Sequence, residues 1–361
     1  MSTRIGIVGM PNAGKSSLFN ALTKAGAEAA NYPFTTIEPN VAVVPVRDAR
    51  LEQIAQTLGA SEIVWDTIDF HDIAGLVAGA HEGEGLGNRF LANIRETDAI
   101  VHVVRAHGDE NVVHPEGSVD ALRDIETIET ELVLADLEQA ERRLERVTRQ
   151  ARGGERALIA EQAWLTQVVA ELQAGRPARG VALPDEAPNA ARDLGSLTAK
   201  PVLFVANVDE GSDEIPPAIA DHAHAQGAGA VAVSSRIEAE LAELEDEDAA
   251  AMREELGVSE SGLARVVREA FALLRLIAFF TAGEAKPAQS WHLRQGLTAW
   301  HAAGEIHGDI QKGFVRAEVI GWRELVDAGG YAGARERGTL RLEGRDYTMS
   351  DGDVITVKFT P

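Results

Sequence analysis

No stretch of the chain restricts its folding more than residues 4–23, RIGIVGMPNAGKSSLFNALT. A short apolar run leads into a glycine-rich turn, and the turn into an amphipathic segment carrying Leu18, Phe19 and Leu22, which predicts strand, loop and helix in that order. Gly9, Gly14, Lys15 and Ser16 satisfy G-x-x-x-x-G-K-S/T without a mismatch. Glycines let the backbone curl until its N–H groups converge on an anion, and the helix N-terminus adds partial positive charge. Asn12, Ala13, Gly14, Lys15, Ser16 and Ser17 are therefore the predicted cradle for nucleotide phosphates in an α/β domain. Lys15 supplies a point charge to the β- and γ-phosphates, and the Ser16 hydroxyl is placed to ligate Mg²⁺.

Downstream, EIVWDTIDFHDIAG (62–75) is rich in Ile, Val, Trp and Phe and predicts a strand ending at Asp72. A carboxylate there is placed to hold the metal, and the Gly75 amide to sense the γ-phosphate. Asp66 and Asp69 lack a glycine three residues on and are assigned to a solvated strand face. Position 76 is leucine, where many nucleotide hydrolases carry the glutamine that orients the attacking water. Hydrolysis, if it occurs, then needs another group. One source is an imidazole from VVRAHGDENVVHPEG (103–117), with His114 favoured over His107 as the catalytic candidate. The other is a set of backbone groups with a bound K⁺. Between these motifs, the Thr-Thr pair of NYPFTTIEPN (31–40) offers a hydroxyl and an amide to Mg²⁺ and the γ-phosphate.

Base choice is read from PVLFVANVDE (201–210). Guanine selection by Asn-Lys-x-Asp relies on an aspartate that accepts from guanine N1–H and N2 together. Here Asn207 is in place, Val208 stands where lysine would stack under the base, and Glu210 stands where aspartate would. An extra methylene displaces the carboxylate, so strong guanine selection is lost and ATP becomes acceptable. Asp209 is one position out of register, and Ser234, with Ser235, is a candidate for the base edge.

Between Ser118 and about Leu172 the chain is rich in Leu, Ala, Glu and Arg, has no proline, and places Leu132, Leu134, Leu137 and Leu144 at helical spacings. Two antiparallel helices broken near ARGGE are expected, as a partner-binding arm or a solvated face. His222 and His224 have metal-like spacing but no evident third ligand, so a solvated helix is expected there. After Thr281 short β-rich runs alternate with turns, suiting a small mixed sheet.

Net charge is −23, which opposes indiscriminate binding to nucleic acid or anionic membrane. Residues 279–361 are near neutral, at net −1, and are the better candidate for any RNA contact. Apolar runs fall far short of the roughly 20 residues a membrane span needs, so no membrane partner is expected. The absence of cysteine excludes disulfides and thiolate chemistry, and a cytoplasmic location follows as the default.

In their order, GIVGMPNAGKSSLFNALT, NYPFTTIEPN, DIAGLVAGAHEGEGLGNRFL, NVDE, FFTAGE, GDIQKGFVRAEVI and LEGRDYTMSDGDVITVKF resemble the Obg-like ATPase family, the YchF type of the Obg-related P-loop GTPases. The resemblance covers nearly the whole chain. It implies a nucleotide-binding domain over 1–117 and 196–278, interrupted by a helical, antiparallel coiled-coil insertion over 118–195. A C-terminal TGS domain of β-grasp type is implied over 279–361, with ATP preference, association with ribosomes or their large subunit, and a monomeric chain. By motif, Lys15 and Ser16 hold phosphates and Mg²⁺, Thr36 is the switch threonine, Asn207 with Glu210 frames the base, and Leu76 matches the family's hydrophobic replacement for glutamine. HGDIQKGF (307–314) departs from the family's bulkier, more acidic HTDFEKGF. The leading expectation is a slow ATPase switch on ribosomes, with GTP also accepted. A nucleotide-gated binding module with incidental hydrolysis is the alternative, and a small-molecule kinase is disfavoured by the threonine loop and the Asn207 motif.

Overall fold

A computed structural model describes residues 3–28, 40–73, 86–108, 117–244, 246–255 and 260–360. The described strands are β1 (Thr3–Val8), β2 (Val41–Pro45), β3 (Ile63–Val64), β4 (Thr67–Asp72), β5 (Ala99–Arg105), β6 (Val202–Asn207), β7 (Gly229–Val233), β8 (Leu276–Thr281), β9 (Ala288–Arg294), β10 (Phe314–Gly321), β11 (Arg341–Glu343) and β12 (Asp353–Phe359). Two compact units result, one from residues 3–44 and 69–273, the other from 45–68 and 274–361. No described helix is long and apolar enough to cross a membrane.

The first unit is built on a sheet of order β2-β4-β1-β5-β6-β7, in which β1, β5, β6 and β7 pair in parallel. β5 and β6 are buried along their whole length, as expected for central strands covered on both faces. Such a sheet brings its loops together at the C-terminal strand ends, where α/β proteins bind ligands.

The helical insertion forms as the leucine spacing predicts, with a long helix Ala121–Ala151 and a return helix Arg156–Gln173. Asp120 caps the first, its side chain accepting from Arg123 N. At the root, Ile125, Ile128 and Leu132 join the sheet core with Val8, Ile100 and Phe204. Farther out, Val133, Ala140 and Val147 pack on Trp164, Leu165 and Val168. Burial of each large side chain contributes about 1.5–3 kcal/mol, against about 0.3–0.5 kcal/mol for an exposed pair such as Arg142–Glu138. Apolar packing therefore anchors the arm. One polar anchor adds to it: the fully buried Asp136 accepts from Ser196 Oγ (2.7 Å), Leu197 N (2.9 Å), Thr198 N (2.8 Å) and Thr198 Oγ1 (2.7 Å).

The second unit holds a mixed sheet of order β11-β10-β12-β8-β9-β3 around Phe279, Leu293, Ala302, Val319 and Ile355. Residues 45–68, grouped in sequence with the N-terminal segment, fold here: β3 pairs in parallel with β9. Asp66, expected on a solvated face, is instead bound within this unit. Its Oδ2 accepts from His292 N at 2.7 Å and stands 3.1 Å from His292 Nδ1, while burial holds the imidazole below its ordinary pKa.

Candidate nucleotide-binding site

At the end of β1 the chain turns through Gly9–Gly14 into the helix Lys15–Glu28. Two glycines are demanded by sterics. Gly9 has φ +155° and a Cβ there would lie 2.3 Å from Val103 O; Gly14 has φ +101° and a Cβ would lie 2.2 Å from Asn207 Nδ2. Asn12, at φ 62°, takes the left-handed conformation that asparagine tolerates better than most residues. Lys15 is buried, and its ammonium arches back to donate to Gly9 O (3.0 Å) and Met10 O (2.8 Å). The loop is thereby tied to the lysine that serves it.

Asp72 closes β4, which is held beside β1 by Ile73 N donating to Ile7 O (3.2 Å). Burial raises the Asp72 pKa and the Lys15 charge lowers it; burial lowers the Lys15 pKa and the Asp72 charge raises it. Each group therefore feels the other's charge, but burial is the larger effect on both. Among the described residues no group of three or more His, Cys, Asp or Glu side chains could hold a metal. Ser16 and Asp72 carry hydroxyl and carboxylate oxygens, a hard donor class that suits Mg²⁺.

A cavity of about 950 Å³ opens above the loop. Asn12, Gly14, Lys15, Ser16 and Ser17 line one part of it, with His107 and Gly108. Asn207, Val208, Asp209 and Glu210 from the end of β6 line the other, facing Ser234, Ser235 and Arg236. Ala13, within the loop, is buried and is not among these lining residues. Asn207 is a clamp: its Nδ2 donates to Ala13 O (3.0 Å) and its Oδ1 accepts from Ser235 N (3.0 Å). It joins the phosphate loop to the start of the helix Ser235–Leu241 with both ends of its amide engaged. Val208 is buried, and its N–H donates to Val233 O at 3.1 Å. Asp209 and Glu210 are exposed. Ser234 stands at the N-cap of that helix without a side-chain cap bond, while the Ser235 hydroxyl is buried with no hydrogen-bond partner.

Thr36, Gly75, Leu76 and His114 lie outside the described residues. Of the two loop imidazoles, His107 is described and lines the cavity. His222, expected on a solvated helix, is partly buried with Nε2 3.2 Å from Glu129 of the long arm helix. Its ring meets Phe204 edge-on, which in turn lies against His102. His102 is buried in β5, and burial, with the Lys15 and His222 charges, pushes its pKa down to about 3.

Arg236 and Glu240 are cavity residues that the motifs did not signal. They belong to a helix whose start, SSRIEAEL, directly follows a buried strand, and that placement was the available clue.

A profile described as a 50S ribosome-binding GTPase matches residues 4–141, and a YchF GTPase C-terminal profile, described as a protein of unknown function, matches 276–360. The chain is 48% identical to the ribosome-binding ATPase YchF of Haemophilus influenzae, over 99% of each chain. It is 44% identical to that of Bacillus subtilis, over 99% of this chain and all of the relative. Among solved structures, the Schizosaccharomyces pombe YchF GTPase superposes with a TM-score of 0.87 at 34% identity, covering 99% of this chain and 98% of that one.

Proposed function

The chain belongs to the YchF family, and from that membership we propose that it is a ribosome-associated P-loop ATPase that binds and slowly hydrolyses ATP as a nucleotide-dependent switch. The carrying observation is the cavity at the sheet's C-terminal edge, with Lys15 buried at its phosphate end and the Asn207 clamp behind it.

In this reading the amides of residues 12–17 and the Lys15 ammonium grip the β- and γ-phosphates, and helix polarity favours the charge. Ser16, Thr36 and Asp72 would hold Mg²⁺, which would neutralise phosphate charge, and the Gly75 amide would donate to the γ-phosphate. The purine lies toward Val208, Glu210 and Ser234. Water attacks the γ-phosphorus and ADP leaves. Leu76 orients nothing, so His114 positions the water, or backbone groups with K⁺ take its place, and turnover is slow. GTP is accepted less well because Glu210 does not reproduce an aspartate's pairing with guanine. The nucleotide domain is drawn from the segments 1–117 and 196–278, less residues 45–68 and 274–278, which fold with the second unit. Residues 118–195 act as the arm and 279–361 as the TGS domain, in a cytoplasmic monomer that reports its nucleotide state to the ribosome.

Leu76 also favours a second reading, a nucleotide-gated binding module in which hydrolysis is incidental. Single-turnover ATP hydrolysis with and without ribosomes separates the two: acceleration by ribosomes supports the switch, and an unchanged rate with nucleotide-dependent ribosome binding supports the module. Lys15→Ala tests the site itself and is expected to weaken Mg·ATP binding at least about a hundredfold, or about 2.7 kcal/mol. Unaltered affinity would refute the phosphate assignment.

A further inference from the structure

We infer that Arg236 is a specificity-determining residue that selects against guanine by engaging the Glu210 carboxylate. The inference rests on the reading of the cavity as a purine nucleotide site. Arg236 lies in the first turn of the helix Ser235–Leu241, and its Nε stands 3.1 Å from Glu210 Oε1 and 3.3 Å from Glu240 Oε1. All three residues line the cavity on the side away from the phosphate loop. Arg236 is not drawn into the core, since its side chain is 72% exposed, so the pairing is a property of the cavity rim.

Guanine binds a carboxylate in such a site by giving it two donors, N1–H and the N2 amine. Adenine offers neither and loses nothing when the carboxylate is occupied. A guanidinium ion-paired with Glu210 offsets the negative charge that would strengthen guanine's pairing with that carboxylate. Selectivity of this kind comes from a partner placed against the wrong ligand rather than from a new contact to the right one. Asn207 leaves this role to the rim, because both ends of its amide are committed to Ala13 and Ser235. Arg236 acts on both nucleotides in a second way: Asp209, Glu210, Glu240 and Glu243 all line a cavity that takes a polyanion, and Arg236 and Lys15 are the lysine or arginine side chains among the described lining residues. Its removal therefore weakens both ligands while shifting their ratio.

Equilibrium dissociation constants for Mg·ATP and Mg·GTP are measured by calorimetry on the full chain, for the unaltered protein, Arg236→Ala, Glu210→Gln and the double variant. Arg236→Ala is expected to move the ratio Kd(GTP)/Kd(ATP) toward GTP by about threefold or more, the scale of an exposed ion pair. In the Glu210→Gln background the same substitution should leave the ratio unchanged, because no carboxylate remains to be released. An unmoved ratio in Arg236→Ala, or a shift that persists undiminished without Glu210, overturns the inference. Failure of the unaltered protein to bind either nucleotide would overturn the reading of the cavity and this inference with it.

Discussion

Asn207→Ala is the perturbation that most directly tests how the site is assembled. The amide holds the phosphate loop from behind through Ala13 O and the start of the base-side helix through Ser235 N, both at 3.0 Å and both buried. Truncation removes two hydrogen bonds worth about 1 kcal/mol each and leaves a buried carbonyl and a buried N–H without partners, at about 1–3 kcal/mol apiece. Relaxation of the loop and the helix start recovers some of this, so a loss of roughly 2–4 kcal/mol in loop placement is expected. Converted at 1.4 kcal/mol per decade, affinity for Mg·ATP falls about 30- to 700-fold. Asn207→Asp sharpens the test. It keeps an acceptor for Ser235 N but sets a carboxylate oxygen against Ala13 O, so it should bind no better than the alanine variant. Fluorescent ATP-analogue titration reads the affinity, and urea unfolding of the same samples reads global stability. Affinity within threefold of the unaltered protein in Asn207→Ala, or full binding by Asn207→Asp, would refute the clamp.

Two further predictions concern the scaffold. His102 has its pKa held near 3 by burial, so the unfolded chain takes up a proton below pH 6.5 that the folded chain refuses. Stability from this group is therefore complete above pH 6.5 and lost as pH falls toward 3, by about 2 kcal/mol at pH 5, and denaturant melts at pH 7.5 and 5 should show that component vanish in His102→Gln. Asp136→Ala strips the acceptor from four donors at the arm's base and should cost about 3–5 kcal/mol in urea unfolding; a loss below 1 kcal/mol would show that apolar packing alone holds the arm.

The phosphate loop was legible in sequence because its glycines answer local demands: Gly9 and Gly14 take φ values and close approaches that other residues refuse. The arm was legible because Leu132, Leu137 and Leu144 fall at helical spacing and no proline interrupts them. What escaped depended on distant partners. Asp66 looked like an exposed strand carboxylate until His292, 226 positions later, supplied its partner. His222 looked solvated because Glu129, 93 positions earlier, is adjacent only once the arm has docked. β3 is two residues long, too short for any periodic signal, and only β9 makes it a strand. Arg236 carried no signal in the sequence because its partner Glu210 is brought beside it only by the neighbouring strands β6 and β7.

The shared composition of the second unit has a consequence for biosynthesis. Residues 45–68 leave the ribosome early, yet β8 and β9, the strands that complete their sheet, begin at Leu276 and Ala288. At roughly 5–20 residues per second, about 10–40 s of translation separate Ile68 from Leu276. During that interval Ile63 and Val64 have no strand to pair with, while the long helix and its return can close on each other as soon as both have emerged. A stop codon placed just before Leu276 should thus release a chain whose early segment is left adhesive, and pulse-chase recovery in the soluble fraction would record it.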